Sequence, residues 1–344
     1  MNSTELWVLE TLAKAPKSAM SISDIARAPK GARGRAYYKN VHAAVRALEA
    51  EGIVRTRKAG KTSLVEIGFG GPLTAGALGM MEIGKKLAFL KEEPGEGGLV
   101  RDLEGLEIAA LIRPRENLAL NICEVLCVSE GPDGALDGLR RIGKMRNRRI
   151  IPLALTPAEF TGLLGSGGGS AAREALRDCI VLAGQEAFWR LVESSQFAED
   201  GREGLQKSLA RFGYEGWGAE RAKCSKGHAG GGQIGGLEEA IIACILSGDA
   251  RLFEAVPALL AKNRANYRLL LYLALKGGVA EKAGFLAATA AATTGRDDLK
   301  RGAKVFEPYK KGPTPGKNPL AREWGVRTRD TAADFKRVME VYGA

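Results

Sequence analysis

Histidine is nearly missing from this chain: its 344 residues include two, His42 and His228. Imidazole-based acid–base catalysis therefore has little to work with. Cys224 and His228 stand four apart in a Gly-rich stretch, but a zinc site would need two further ligands, and the sequence supplies none. The five cysteines (Cys123, Cys127, Cys179, Cys224, Cys244) are an odd number, most of them in apolar runs, which suits buried, reduced thiols. No run of about eighteen apolar residues occurs, so no membrane-spanning helix is expected. Met1-Asn2-Ser3-Thr4-Glu5 lacks the basic start and apolar core of a secretory signal. The expectation is a cytoplasmic protein with no membrane partner, cofactor or metal. With 45% hydrophobic residues, the length suffices for two or three domains with substantial cores.

Positive charge is abundant, and it is segregated. The formal net charge is +11. Residues 1–70 hold twelve Lys and Arg against six Asp and Glu, and residues 295–344 hold twelve against seven. Between them, residues 71–294 balance at twenty-seven of each sign, so the whole surplus lies at the two ends. Such a footprint fits a polyanion, DNA or RNA, although solubility alone would also tolerate it.

The informative stretch is residues 31–63, GARGRAYYKNVHAAVRALEAEGIVRTRKAGKTS. Tyr38, Val41, Val45 and Leu48 recur at helical spacing and predict a helix over about 35–51, with Lys39, His42 and Arg46 on its other side. Gly52 follows where a left-handed residue is wanted. Residues 53–57 and 62–67 read as two strands joined by the basic turn Lys58-Ala59-Gly60-Lys61. Upstream, Leu6, Leu9, Leu12 and Ala13 mark a helix ended by Ala15-Pro16, and Ser21 with Asp24 caps a second. Gly60-Lys61-Thr62 copies the end of a phosphate loop but joins two strands, which leaves chance as its explanation.

The order helix, helix, helix, hairpin, with YxxVxxxVxxLExxGIV from Tyr38 to Val54, resembles the winged helix-turn-helix modules of prokaryotic, bacterial or archaeal, regulators. The resemblance implies a third helix in the major groove and a wing on the DNA backbone or in the minor groove. Carried over by position, it assigns Arg33, Arg35, Tyr37, Lys39, Asn40, His42 and Arg46 to DNA from the helix, and Arg55, Arg57, Lys58 and Lys61 from the wing. Such a module also serves protein contacts in other settings.

Residues 70–99 read as a connecting helix (Leu73 to Leu90) and a flexible break at Glu93–Gly98. From 100 to 200, strand-length apolar runs (Ile108–Ile112, Ile122–Val128, Arg149–Leu155, Cys179–Gly184) alternate with helical stretches, the pattern of an α/β unit. Ile150 to Phe160 and Ala171 to Val192 resemble the minimal nucleotidyltransferase fold. That chemistry needs an Asp-x-Asp pair for Mg²⁺ and a Gly-Ser turn for the triphosphate. The matching strand, Asn121 to Cys127, offers Glu124 alone, and the matching turn reads Ile112-Arg113-Pro114-Arg115. No catalytic residue is therefore assigned, and the domain reads as non-catalytic, left to a structural role or to partner binding through Arg113, Arg115, Arg140, Arg141 and Lys144. The Gly-rich run 165–170 reads as a flexible loop.

Residues 201–236 read as a Gly-rich linker. Residues 237–344 form a helical domain with helices at 237–246, 250–262, 267–276 and 281–293. Its basic, Pro-rich segment around 309–317 is expected to be extended and solvated, with Lys310, Lys311 and Lys317 as phosphate contacts. A last helix, Pro319 to Tyr342, is anchored by Trp324 and Phe335. The chain thus reads as multidomain α+β: winged helix, nucleotidyltransferase-like domain, helical domain. The expected function is DNA binding, as a transcriptional regulator on double-stranded DNA. The alternatives are a nucleotidyltransferase acting on nucleic acid, or a protein-binding regulator such as an antitoxin, since abortive-infection type IV antitoxins share this architecture. A homodimer or protein partner is compatible with the sequence, but no heptad run marks a seam.

Overall fold

The computed structural model describes residues 1–28, 37–60, 62–118, 120–165, 175–196, 205–214, 235–328 and 330–342. The chain is mixed α/β with two small sheets, and it divides into two compact units: Met1–Gly165 with Ser170–Phe197, and Ser166–Gly169 with Ala198–Ala344. Among the described residues no helix is long and apolar enough to cross a membrane.

The first unit begins with α1 (Ser3–Ala13), whose start is closed by a reciprocal cap. Asn2 Oδ1 accepts from the Glu5 N–H at 3.0 Å while the Asn2 N–H donates to Glu5 at 2.7 Å. Strand β1 (Met20–Ser21) runs into α2 (Ile22–Arg27), and Ser21 Oγ accepts from the Asp24 N–H at 3.0 Å, the expected cap. Helix α3 spans Tyr38–Ala50, and Gly52 (φ +72°) turns the chain into β2 (Val54–Ala59) and β3 (Thr62–Ile67). The sheet order is β1-β3-β2, all antiparallel. Two residues are too few to show strand alternation, which is why β1 escapes a sequence reading.

Helix α4 (Thr74–Glu92) follows, then a 3₁₀ turn at Pro94–Glu96 and α5 (Gly97–Leu103). The break expected at 93–98 is instead built into the fold. Buried Glu96 takes the Arg148 guanidinium, and Arg146 donates to Gly98 O at 3.1 Å and to Asp102 at 2.7 Å. A Cβ at Gly98 would lie 2.4 Å from Arg146 Nη1, so glycine here makes room for a guanidinium and is not a hinge.

The second sheet runs β6-β5-β4-β7: β4 (Ile108–Ile112) is antiparallel to β5 (Ile122–Val128) and β7 (Cys179–Ala183), while β5 and β6 (Arg149–Leu155) are parallel. Strand β4 and Cys123–Val128 are buried throughout, as in sheets covered on both faces. Short helix α6 (Pro114–Leu118) joins β4 to β5, and α7 (Pro132–Arg146), α8 (Pro157–Gly165) and α9 (Gln185–Ser194) follow the other strands. Thr156 and Glu159 cap α8 reciprocally, at 3.1 and 2.8 Å. Helix α4 lies along β7, whose outer backbone edge it satisfies. Glu82, fully buried, accepts from the Val181 N–H at 3.0 Å, and Lys85 pairs with Glu82 at 3.0 Å and donates to Cys179 O. Burial pushes the Glu82 carboxyl up against the lowering pull of Lys85. The buried thiols are likewise raised by burial, Cys123, Cys179 and Cys244 to about 12 and Cys127 to about 11.

The second unit is helical, and its four central helices, Leu237–Leu246, Ala250–Lys262, Tyr267–Lys276 and Ala280–Thr294, match the apolar runs closely. Asp249 and Asn266 cap two of them and Gly295 (φ +72°) ends the last. Two helices lie where none was expected: Leu205–Arg211 within the stretch read as a linker, and Asp297–Lys304. The final segment is two helices, Pro319–Glu323 and Ala332–Val341, broken at Gly325 (φ +71°) and restarted by a Thr331–Asp334 capping box. Trp324 (2% exposed) and Phe335 (0%) anchor it as expected.

Beside this restart, Glu254 shares a hydrogen bond with Asp330 and lies near Asp334; partial burial, then Asp330, raises its carboxyl to about 7. A carboxyl whose folded pKa is raised binds its proton more tightly in the folded chain. That stability is present in acid and is lost as pH rises through about 7. Thermal unfolding of this unit should therefore occur a few degrees lower at pH 8 than at pH 5.5, and Glu254→Gln should flatten the dependence, as followed by calorimetry.

Candidate nucleic-acid interface

Helix α3 is fixed by its apolar side. Val41, Ala44, Val45 and Leu48 are buried, and α3 packs on α1 and α2. Tyr38, assigned to the apolar stripe by spacing, is instead 52% exposed. It stands at the first helical position, one turn before the buried stripe begins. Tyr37 (81% exposed), Lys39, Asn40 and Arg46 are exposed as well, and His42 is half-buried with its ring 6.2 Å from that of Tyr38. Lys39 and Arg46, seven apart, point directly away from the buried stripe. Arg33, Arg35 and Lys61 lie outside the described residues.

The hairpin is in register from Val54 opposite Ile67 to Ala59 opposite Thr62, and Gly60 (φ +61°) opens its turn. Because strand residues alternate in face, its cations point to two sides of the hairpin. Lys58 shares a face with Val54 and Thr56, whereas Arg55 and Arg57 share the other. Arg57 and Lys58 are exposed near the tip. Arg55 is at the base, opposite Glu66, where it donates to Phe69 O at 3.2 Å and ties the foot of the hairpin.

One carboxylate sets the hairpin against the helix. Glu49, in the last turn of α3, accepts from the Thr56 N–H at 3.2 Å and from Thr56 Oγ1. Thr56 lies on β2, an edge strand, and Glu49 satisfies one of its outward backbone donors. The foot is held from behind: Lys17 donates to Glu193 O at 2.8 Å and lies 4.6 Å over the Phe69 ring, and the Gly70 N–H donates to Glu193. Sequence reasoning missed Glu49 and Thr56 because a carboxylate seven residues before a threonine has no signature of its own.

The other candidates are engaged differently. Glu124, 3% exposed on β5, accepts from Arg113 Nη2 at 3.0 Å and from Asn117 Nδ2 at 3.1 Å, while Asn117 also donates to Ile112 O at 3.0 Å. Arg113 is held at φ +44°, its N–H donating to Asp178 O at 2.7 Å. The Arg113 guanidinium thus already takes up the carboxylate that this strand could otherwise offer to a cation. Among the described residues no three His, Cys, Asp or Glu side chains group so as to hold a metal ion. Arg140 pairs with Asp137 at 2.9 Å, and Arg141 and Lys144 are exposed. In the second unit, the segment expected to be extended and solvated has no helix or strand from Lys310 to Lys317 and is mostly exposed, but its first two lysines meet carboxylates. Lys310 pairs with Glu323 at 2.6 Å and lies 4.8 Å over the Trp324 ring, and Lys311 pairs with Glu281 at 2.6 Å. Lys317 is exposed. Cys224 and His228 lie outside the described residues, as do residues 166–170 of the Gly-rich run. Comparison with protein-family models, with curated proteins and with solved structures finds no match to this chain.

Proposed function

We propose that the chain is a winged-helix DNA-binding protein, a transcriptional regulator that reads duplex DNA with α3 and grips phosphates with the β2–β3 hairpin. One observation carries this reading. Lys39, Asn40 and Arg46 are exposed on α3, Arg57 and Lys58 are exposed on a hairpin joined to that helix, and the rest of this unit covers neither group. A helix fits the major groove, where Arg, Lys and Asn match base edges, and cations at the tip of a hairpin match phosphates. The surplus of six positive charges in residues 1–70 would supply the sequence-independent part of the affinity. The α/β half of this unit, nucleotidyltransferase-like in element order, serves in this reading as a non-catalytic support, its strand carboxylate already joined to Arg113.

A gel shift and footprint on random genomic fragments at two salt concentrations tests the proposal. Expected is a protected site whose affinity falls steeply with salt; salt-insensitive binding, or none, overturns it. A finer outcome concerns the Glu49–Thr56 link. Thr56→Val removes the hydroxyl, keeps a β-branched strand residue and changes no charge. DNA affinity should fall about fivefold, the size of one hydrogen bond, with the salt slope unchanged.

A further inference from the structure

The outer face of α4 is apolar along its length. Leu73 is 55% exposed, Met80 59%, Ile83 37% and Leu87 60%. With Gly76 and Leu90 they fall at steps of three and four, the spacing of a heptad seam. The repeat expected to be missing is therefore present. It is hidden in the sequence because the inner face, with Leu78, Met81 and Phe89 buried, is apolar too, and a helix apolar on both sides shows little periodic contrast. Nor can α4 roll to hide the stripe. Glu82 and Lys85 hold β7, Thr74 Oγ1 donates to Gly68 O at 2.9 Å, and Gly79 leaves 3.4 Å between its Cβ position and the Glu186 backbone.

We propose that this face is a homodimer seam, formed by antiparallel packing of α4 on the same helix of a second copy. The stripe is its own complement. Running a copy backwards sets Leu73 against Leu90, Gly76 against Leu87 and Met80 against Ile83, so that large residues meet small ones at Gly76. A Cβ at Gly76 or Gly84 would meet nothing within 4 Å, leaving room for close backbone approach. Charge selects the direction. A parallel pair would bring each exposed Lys91 beside its copy, whereas the antiparallel pair separates them. It also sets exposed Glu93 by the opposing helix start, which has no side-chain cap and favours a carboxylate. The exposed side chains amount to roughly 400 Å² per copy, about half the usual share of one partner, so the dimer is reversible and concentration-dependent.

Sedimentation velocity on the full chain from about 1 to about 100 µM should show a monomer passing into a dimer. The double variant Met80→Glu with Leu87→Glu should remain monomeric with an unchanged melting curve. Under mild oxidation Ile83→Cys should cross-link. Leu73→Cys should not, because antiparallel packing leaves its copies about 25 Å apart along the axis. A wild-type monomer at the highest concentration overturns the proposal, as does Leu73→Cys cross-linking as readily as Ile83→Cys.

Discussion

Arg46→Ala should weaken binding to the preferred duplex by about 10- to 100-fold while changing affinity for unrelated duplexes far less. The magnitude is that of one side chain matched to a base edge, on the order of 1–3 kcal/mol. Lys39→Ala, on the same outward face one heptad earlier, should act in the same sense, and the two effects should add to the extent that the residues read separate base pairs. The hairpin should respond differently. Arg57→Ala with Lys58→Ala should lower affinity for every duplex alike and reduce the slope of log affinity against log salt by about two, one for each phosphate no longer neutralised. Arg55→Ala separates these roles, because Arg55 already bonds Phe69 O at the hairpin foot. Its replacement should lower the melting temperature and leave the salt slope nearly unchanged. Titrations of each variant at several salt concentrations decide the matter. If Arg46→Ala weakened specific and non-specific duplexes equally, α3 would not be reading bases.

Gly284→Ala should be among the most destabilising single changes in the second unit. In helix Ala280–Thr294, a Cβ at Gly284 would lie 2.2 Å from Trp324 Cζ3 and 2.7 Å from Phe306 Cβ. Trp324 is 2% exposed and Phe306 0%, so neither ring has an unfilled direction in which to retreat. Helix propensity alone would make alanine the better residue here by about 1 kcal/mol. Overpacking of a closed core opposes this by about 1–3 kcal/mol and occasionally more, and with a clash this deep the steric effect wins. Gly302→Ala should behave similarly, because its Cβ would meet the Tyr267 ring at 2.4 Å. Gly138→Ala, within α7 and with nothing near its Cβ position, is the control and should stabilise slightly. Calorimetry would resolve these changes, and a Gly284→Ala protein melting at or above wild type would show that Trp324 is able to move.

Much of the fold is legible in the sequence because its signals are local. Strand runs such as Ile122–Val128 and caps such as Ser21 and Thr156 state their structure within a few residues. Helix starts at Asp249 and Asn266 do the same. What the sequence misrepresents depends on distant segments. The Gly-rich stretch at 93–98 resembles a hinge until Arg146 and Arg148, about fifty residues on, fill it with guanidinium groups. The Pro-rich run near Lys310 resembles a solvated tail until Glu281 and Glu323 are brought beside it. Tyr38 continues the apolar stripe by spacing, yet it stands beyond the stripe's first buried turn, at Val41.

Residue order along the chain thus settles most of the helices and strands and the two places where positive charge is concentrated. Which of those charges meets a carboxylate is settled by folding. Arg57 and Lys58 stand exposed near the tip of a hairpin held at its base, whereas Lys310 and Lys311 meet carboxylates at 2.6 Å. The reason is the range of the forces. Backbone conformation answers to neighbours a few residues away, but an ion pair answers to distance in space, whatever the separation along the chain.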